Sequence, residues 1–424
     1  MVSENSSGVP ALVTGGDLAY TVNGIRILDR VSLTVRPGEF IGLIGPNGAG
    51  KTTLMKLLGG IIQPSSGEIL LKGIPLKKLR QKEVARIVSY MAQEAGLGFG
   101  FPVIDVLLLG RYPYLKRFSL KRVKYRRGLK EDIGVARRML SYVGLAGFDE
   151  RPFAELSGGE KQLILFAKIL VQETDLLLLD EPTANLDIKH QDQIFSMTAE
   201  LTREKKAVIA AVHNLNVAAA YCNRLILLKD GQLVADGRPE QVLKPAILDQ
   251  VYGVRTSTSV DTSLGTLTVS VFPRKSAGKG PRVHLIGGAG SAVNLTRELF
   301  RRGCCISGGI THAHDSDEKL WHNLGVETCV VPAFSWITDV EVEKARQMVE
   351  QADVTLLCSF PVGAANLANL KLAGLARKLI VVASGESEVS RSFFAQEAEE
   401  LYVDLAKTAR ILSYEQVIAA LSSL

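Results

Sequence analysis

Residues 45–52 read Gly45-Pro46-Asn47-Gly48-Ala49-Gly50-Lys51-Thr52, a complete G-x-x-x-x-G-K-[ST] run that continues into Thr53. It sits between the apolar stretch Phe40–Ile44, which reads as a strand, and Lys51–Leu58, which reads as a helix. The glycines let backbone N–H groups curl around phosphates, and the helix N-terminus adds a favourable dipole. Lys51 is spaced to reach the β- and γ-phosphates, and the Thr52 hydroxyl to ligate Mg²⁺. Motif and context agree, against an ordinary glycine-rich turn before a helix. The loop is expected to bind a nucleoside triphosphate.

A metal held beside those phosphates needs a carboxylate from another element. Leu176–Leu179 is an apolar strand that runs into Asp180 and Glu181. Asp180 suits Mg²⁺, and Glu181 suits polarising an attacking water. Twenty residues upstream stands Leu156-Ser157-Gly158-Gly159-Glu160-Lys161-Gln162. Taken alone, this is an N-capped helix start with anion-friendly amides.

Together these motifs closely resemble the signature of ATP-binding cassette (ABC) ATPases. The remaining family motifs follow in order: Gln93 in MAQE, Asn185-Leu186-Asp187 after the Asp-Glu-Pro, and His213 in AAVHNLN. The resemblance covers about residues 12–273. It implies ATP and Mg²⁺ as cofactors, with two cassettes sandwiching two ATP molecules head to tail. Ser157, Gly158 and Gly159 would then serve the nucleotide of the partner chain. His213 would hold the γ-phosphate end, and Gln93 would link the metal to a membrane partner. Two departures stand out. His213-Asn214 replaces the more usual His-Asp pair, and the position that normally stacks an aromatic on adenine falls at Val22. Tyr20, two residues earlier on the same strand face, is the substitute candidate.

Asp105–Tyr114, Asp230–Pro239 and Val251-Tyr252-Gly253 look like text from importers of iron-siderophore complexes, haem and cobalamin. The resemblance therefore implies an ATPase at the cytoplasmic face of the membrane. Its partners would be permease subunits, a second copy of the chain and, indirectly, a periplasmic or lipoprotein substrate-binding protein. The competing reading is a soluble cassette ATPase acting on ribosomes or nucleic acid. Such relatives usually carry two cassettes or long heptad segments, whereas this chain shows one cassette and no sustained heptads.

Composition agrees with a peripheral subunit. Hydrophobic residues make up 46% and charged residues 22% of 424, enough for two or three globular domains. No apolar run approaches the length needed to cross a bilayer, and the opening MVSENSSGVP lacks the features of a secretory signal. Five cysteines without CxxC spacing suit reduced thiols in the cytosol. The net charge of +6 is split unevenly, with residues 1–281 carrying +10 and residues 282–424 carrying −4. Lys116–Lys130 holds eight basic residues and no acid. It admits a solvated helical face or contact with anionic headgroups. Only Phe118 and Tyr125 there could stack on bases, so no nucleic-acid partner is expected.

The expected fold is α/β. A cassette (12–273) with a RecA-like core, a β subdomain and a helical subdomain precedes a linker (274–281) and a smaller doubly wound parallel-sheet domain (282–424). In that last domain Gly287-Gly-Ala-Gly290 resembles a nucleotide-binding turn, but Val293 replaces the third glycine of G-x-G-x-x-G. Thr311–Asp317, with His322 nearby, reads either as metal ligands or as a polar loop entering a helix capped by Ser316 or Asp317. Cys304-Cys305 lies in an apparent strand. Gly287–Ser291 and Ser359–Asn366 are both expected at the carboxyl edge of the sheet, around one concave site for a phosphate-bearing or corrinoid-like ligand. Modification of an imported chelate is a further possible role for this domain.

Overall fold

The short apolar runs Phe40–Ile44, Leu176–Leu179 and Ala207–Ala211 pair side by side in one sheet and are buried on both faces. The computed structural model describes residues 10–92, 100–114, 122–183, 186–260, 265–272, 280–383 and 392–421. Gln93 and Asn185 lie outside them, as do Lys116–Lys121 of the basic run and residues 273–279 of the expected linker. The chain divides into two compact units, one drawn from Met1–Gly253 and Thr258–Ser270, the other from Val254–Ser257 and Val271–Leu424.

In the first unit, β1 (Val13–Val22), β2 (Ile25–Val35), β4 (Ser66–Leu71) and β5 (Ile74–Pro75) form an antiparallel sheet in the order β2-β1-β4-β5. Asn23-Gly24, both at positive φ, make the two-residue hairpin turn that sets β1 against β2. The central sheet contains β3 (Phe40–Ile44), β6 (Val88–Met91), β7 (Leu176–Leu179), β8 (Ala207–Ala211), β9 (Arg224–Lys229) and β10 (Gln232–Gly237), ordered β10-β9-β3-β8-β7-β6. All its pairings are parallel except β10 against β9.

Alternate residues of each central strand enter different cores. Ile41, Leu176, Leu178 and Ile209 join one cluster, while Phe40, Leu177, Leu179 and Val208 join the other. Burial on both faces is what turns these strands into continuous apolar runs, at about 2 kcal/mol per fully buried leucine. The helix Gly158–Leu170 packs through Leu163 and Ile164 into the same core as Val106 and Leu140, from the helices Val103–Leu108 and Arg122–Tyr142. The strands β11 (Arg255–Val260) and β12 (Leu267–Phe272) pair as a separate ribbon.

In the second unit, β13 (Arg282–Ile286), β14 (Cys305–His312), β15 (Glu327–Val331), β16 (Val354–Leu357), β17 (Leu379–Val382) and β18 (Arg410–Leu412) form a wholly parallel sheet. The order is β15-β14-β13-β16-β17-β18. Separate cores lie on its two faces, one containing Val283 and Leu285, the other Ile286 and Leu357. This is the doubly wound architecture expected from the sequence. Gly308 is required by packing: a Cβ there would stand 2.4 Å from the fully buried Trp321 ring. The helix after the glycine-rich turn starts at Val293, because Gly288–Ala292 completes a turn first. Cys304 is buried ahead of β14, and only Cys305 belongs to the strand. No helix among the described residues is long and apolar enough to cross a membrane.

Candidate active site

The phosphate loop leaves β3 and enters the helix Lys51–Leu58 through backbone that only glycine tolerates. Gly45 has φ 146°, and a Cβ there would stand 2.2 Å from the Leu228 carbonyl oxygen. Gly50, at φ 96°, is the N-cap. Lys51 Nζ donates to the carbonyls of Gly45 (2.8 Å) and Pro46 (3.0 Å), which folds the loop around its own lysine. Burial lowers the Lys51 pKa from the ordinary lysine range, against the opposing pull of Glu181 and Asp180.

β7 delivers the two carboxylates to this loop. Asp180 is 1% exposed and accepts from Thr52 Oγ1 (3.1 Å) and from the Tyr90 hydroxyl (2.8 Å). That bond raises the Tyr90 pKa, together with the larger effect of burial. Glu181 follows at φ 52°, an uncommon conformation for a non-glycine residue, and its Oε1 lies 2.5 Å from His213 Nε2. Asn214 replaces the usual acidic residue and caps the next helix, accepting from the backbone N–H groups of Asn216 and Val217. A cavity of about 470 Å³ is lined by Asn47–Thr53 with Ile27, Glu181 and His213.

Ser157, Gly158 and Gly159 do not line this cavity. Ser157 caps the helix Gly158–Leu170 reciprocally with Glu160, and Ser157 and Gly158 are exposed. Gln162 Nε2 donates to the Pro182 carbonyl (2.8 Å) and so ties that helix to the end of β7. Tyr20 is half-buried against the core that contains Leu28, its partner across the hairpin, and it too is absent from the lining. Ile27 and Tyr90 went unnoticed in the sequence, because neither belongs to a spacing motif and only the fold brings them to the site. Gln162 closes the signature run, but its bond to Pro182 is made by the fold.

The comparisons with known proteins bear on this cavity. A family model described as ABC transporter matches residues 28–184. The cobalamin import ATP-binding protein of Halobacterium salinarum is 35% identical over 356 residues, 83% of this chain and 86% of that protein. The chain belongs to the ABC transporter ATPases. The hemin import ATP-binding proteins of Bordetella avium and Myxococcus xanthus are 39% and 37% identical, over 56% and 54% of this chain and 90% and 85% of their own. A structure described as an inward-facing metal-chelate type ABC transporter has a TM-score of 0.52 at 24% identity, over 62% of this chain and 98% of that one. A nucleotide-free ATP-binding cassette gives 0.51 at 22%, over 57% and 98%, which likewise shows the fold. As an ABC ATPase, the chain binds and hydrolyses ATP.

The second unit matches a model described as the MJ0874 family over residues 306–418. Its glycine-rich turn is closed by carboxylates. Asp315 Oδ2 accepts from Ala289 N (2.8 Å), and Asp317 Oδ1 from Ala292 N (3.1 Å). The cap of the helix Ser316–Leu324 is Asp315, not Ser316 or Asp317, because its extended backbone turns Oδ1 onto Asp317 N at 2.7 Å. Asp317 is fully buried, and burial followed by the Asp315 charge pushes its pKa up to about 6. Among the described residues, no group of three or more His, Cys, Asp or Glu could hold a metal ion.

Proposed function

We propose that this chain powers import of a metal chelate through a membrane permease, working as a head-to-tail dimer that encloses two ATP molecules. The observation that carries the reading is the incomplete cavity. Within one chain the phosphate loop, Glu181 and His213 line it, while the Ser157-Gly158-Gly159 helix start, exposed at Ser157 and Gly158, is not among its walls. A second copy can supply that helix start, whose amides and dipole favour a γ-phosphate. We assign residues 12–273 to the cassette, 274–281 to a linker and 282–424 to the second domain.

In this reading Gly45–Thr53 cradle the phosphates through backbone N–H groups, with Lys51 supplying positive charge. Glu181 takes a proton from the attacking water, and His213, bonded to Glu181, orients that carboxylate. Thr52 and Asp180 present hard oxygens 3.1 Å apart beside the loop, a donor set that fits Mg²⁺. Magnesium held there, with Gln93 as the further candidate ligand, would neutralise charge on the β- and γ-phosphates. Ile27 lines the cavity and Tyr20 does not, so the adenine-stacking role expected of Tyr20 has no support from the lining.

The cargo belongs to the siderophore, haem and cobalamin class of chelates. The Halobacterium relative, named for cobalamin import, aligns over 356 residues and so runs beyond the cassette, which favours cobalamin. The chain would sit at the cytoplasmic face of the membrane, with permease subunits as direct partners and a substrate-binding protein beyond them. The test is reconstitution with the permease that co-purifies from detergent-solubilised membranes. ATP-dependent uptake of cyanocobalamin into proteoliposomes is the expected result. Co-purification of ribosomal protein without any permease would refute the reading.

A further inference from the structure

The parallel sheet of the second unit reverses its winding direction between β13 and β16, with β14 and β15 on one side and β17 and β18 on the other. Ligands of such sheets bind in the crevice outside the carboxyl ends of the strands at that point. A cavity of about 150 Å³ lies there, lined by Gly288, Ala289, Thr311, Asp315, Phe360 and their neighbours.

Its chemistry argues against a phosphate. Gly288 N is engaged by Ser291 Oγ (3.3 Å), Ala289 N by Asp315 and Ala292 N by Asp317. The chain's own carboxylates therefore occupy the amides that a pyrophosphate would use, and they would repel one. The side-chain amides are engaged as well: Asn366 Nδ2 donates to the Pro361 carbonyl and Asn369 Nδ2 to the Ile310 carbonyl. By contrast, the hydroxyl of Thr311, a residue only 3% exposed, is buried with no hydrogen-bond partner. A ligand that donates N–H groups satisfies both Thr311 and Asp315.

The bordering loops carry aromatic rings in solvent. Phe334 is 103% exposed, and Trp336 is 69% exposed. They flank Ser335, whose carbonyl oxygen lies 3.0 Å from Nε2 of the cavity residue His312. Phe394, 77% exposed, donates its N–H to the Val362 carbonyl, next to the cavity residue Pro361. Phe334 keeps φ 62°, which a bulky side chain rarely adopts.

We infer that this is a binding site for a corrinoid, a macrocycle fringed with primary amides: one amide arm enters the cavity and the flat ring system lies against the exposed aromatics. Haem, whose fringe carries carboxylates, is disfavoured by the same two aspartates. The inference rests on the import reading for its choice of macrocycle.

The test is calorimetric titration of the full-length chain, with ADP saturating the cassette, against dicyanocobinamide, cyanocobalamin, haemin and NAD. Both corrinoids should bind at one per chain, with haemin and NAD at least about tenfold weaker. Thr311→Val should weaken corrinoid binding about tenfold while the melting temperature holds or rises, because it deletes a buried hydroxyl without a partner. Trp336→Ala, at an exposed position, should weaken binding without loss of fold. Absence of corrinoid binding, equal binding of NAD, or unchanged affinity in Thr311→Val would overturn the site. Corrinoid uptake by the permease complex without binding to the free chain would refute this site and leave import standing. Binding without uptake of any chelate would do the reverse.

Discussion

Glu181 Oε1 and His213 Nε2 lie 2.5 Å apart, joining a residue just past the end of β7 to one just past the end of the neighbouring strand β8. Glu181 holds φ 52° in that arrangement, so backbone strain and the histidine together aim the carboxylate at the cavity. Glu181→Gln keeps the side-chain shape and removes the base. Hydrolysis should fall on the order of 10²–10⁴-fold with ATP binding retained. Single-turnover hydrolysis beside nucleotide-binding titrations checks both halves. Light scattering should also show a long-lived ATP-bound dimer of this variant.

Lys51 tests the cradle rather than the base. Its ammonium is buried and bonded to two loop carbonyls, and its pKa lies below the ordinary lysine range. Lys51→Ala should weaken ATP binding about tenfold to a hundredfold, as expected for losing charge-assisted bonds. In the wild type, affinity should decline toward alkaline pH earlier than an ordinary lysine would allow, because the charged form is lost as pH rises through the lowered pKa. Hydrolysis near the wild-type rate in Lys51→Ala would remove residues 45–52 from the site.

Asp180 gives the metal prediction. Thr52 and Tyr90 both donate to its carboxylate. Chelation of Mg²⁺ should abolish hydrolysis, and Asp180→Asn should remove most of the stimulation that added Mg²⁺ gives. Tyr90→Phe frees one Asp180 oxygen from a competing donor, so less Mg²⁺ should reach half-maximal activity. A rise in the required Mg²⁺ would contradict this placement.

What the sequence disclosed was whatever depends on local spacing. The bounds of β3, β7 and the helix after the phosphate loop agree residue for residue with the reading of apolar runs and turns. Contacts made by the fold were not legible. Tyr90 is ninety residues from Asp180, and Gln162 is twenty from Pro182. The short strand β18 escaped notice because its Arg410 and Ile411 are exposed, which leaves no apolar run to read. In the second unit the glycine-rich turn was visible, but its amides are held by Asp315 and Asp317, some 25 residues away. That pairing changes the ligand the turn can accept.

Asp317 supplies a pH dependence. Its folded pKa of about 6 exceeds the unfolded value of about 4, so the folded chain binds its proton more tightly. The associated stability is complete below pH about 4 and is lost as pH rises through about 6. Asp317→Asn keeps an acceptor for Ala292 N and removes the titration. The difference in stability between variant and wild type should therefore grow by roughly 2 kcal/mol between pH 4 and 7. Taking the difference cancels the opposite trend from Glu160 and Asp187, whose pKa values are lowered. A flat difference would show that Asp317 titrates like an exposed carboxylate.

The signature helix separates folding from assembly. A Cβ on Gly158 meets nothing within 4 Å, whereas one on Gly159 would stand 2.8 Å from the His190 ring, which Asp187 holds in place. Gly158→Ala therefore fits the single chain, and at the first position of a helix it should keep or slightly raise the melting temperature. If a partner's γ-phosphate must approach this helix start closely, the added methyl group obstructs it. Hydrolysis should then fall at least about tenfold, as for loss of well-oriented contacts, while ATP binding to the isolated chain is unchanged. Ser157→Ala should lose hydrolysis too, but with a cap penalty of about 1 kcal/mol. Mixing Gly158→Ala with Lys51→Ala gives the decisive readout. In a head-to-tail dimer of the two, one site combines both lesions and the other has none, so activity should reappear on mixing. Two inactive chains that remain inactive together, despite forming mixed dimers, would rule out a site shared between copies.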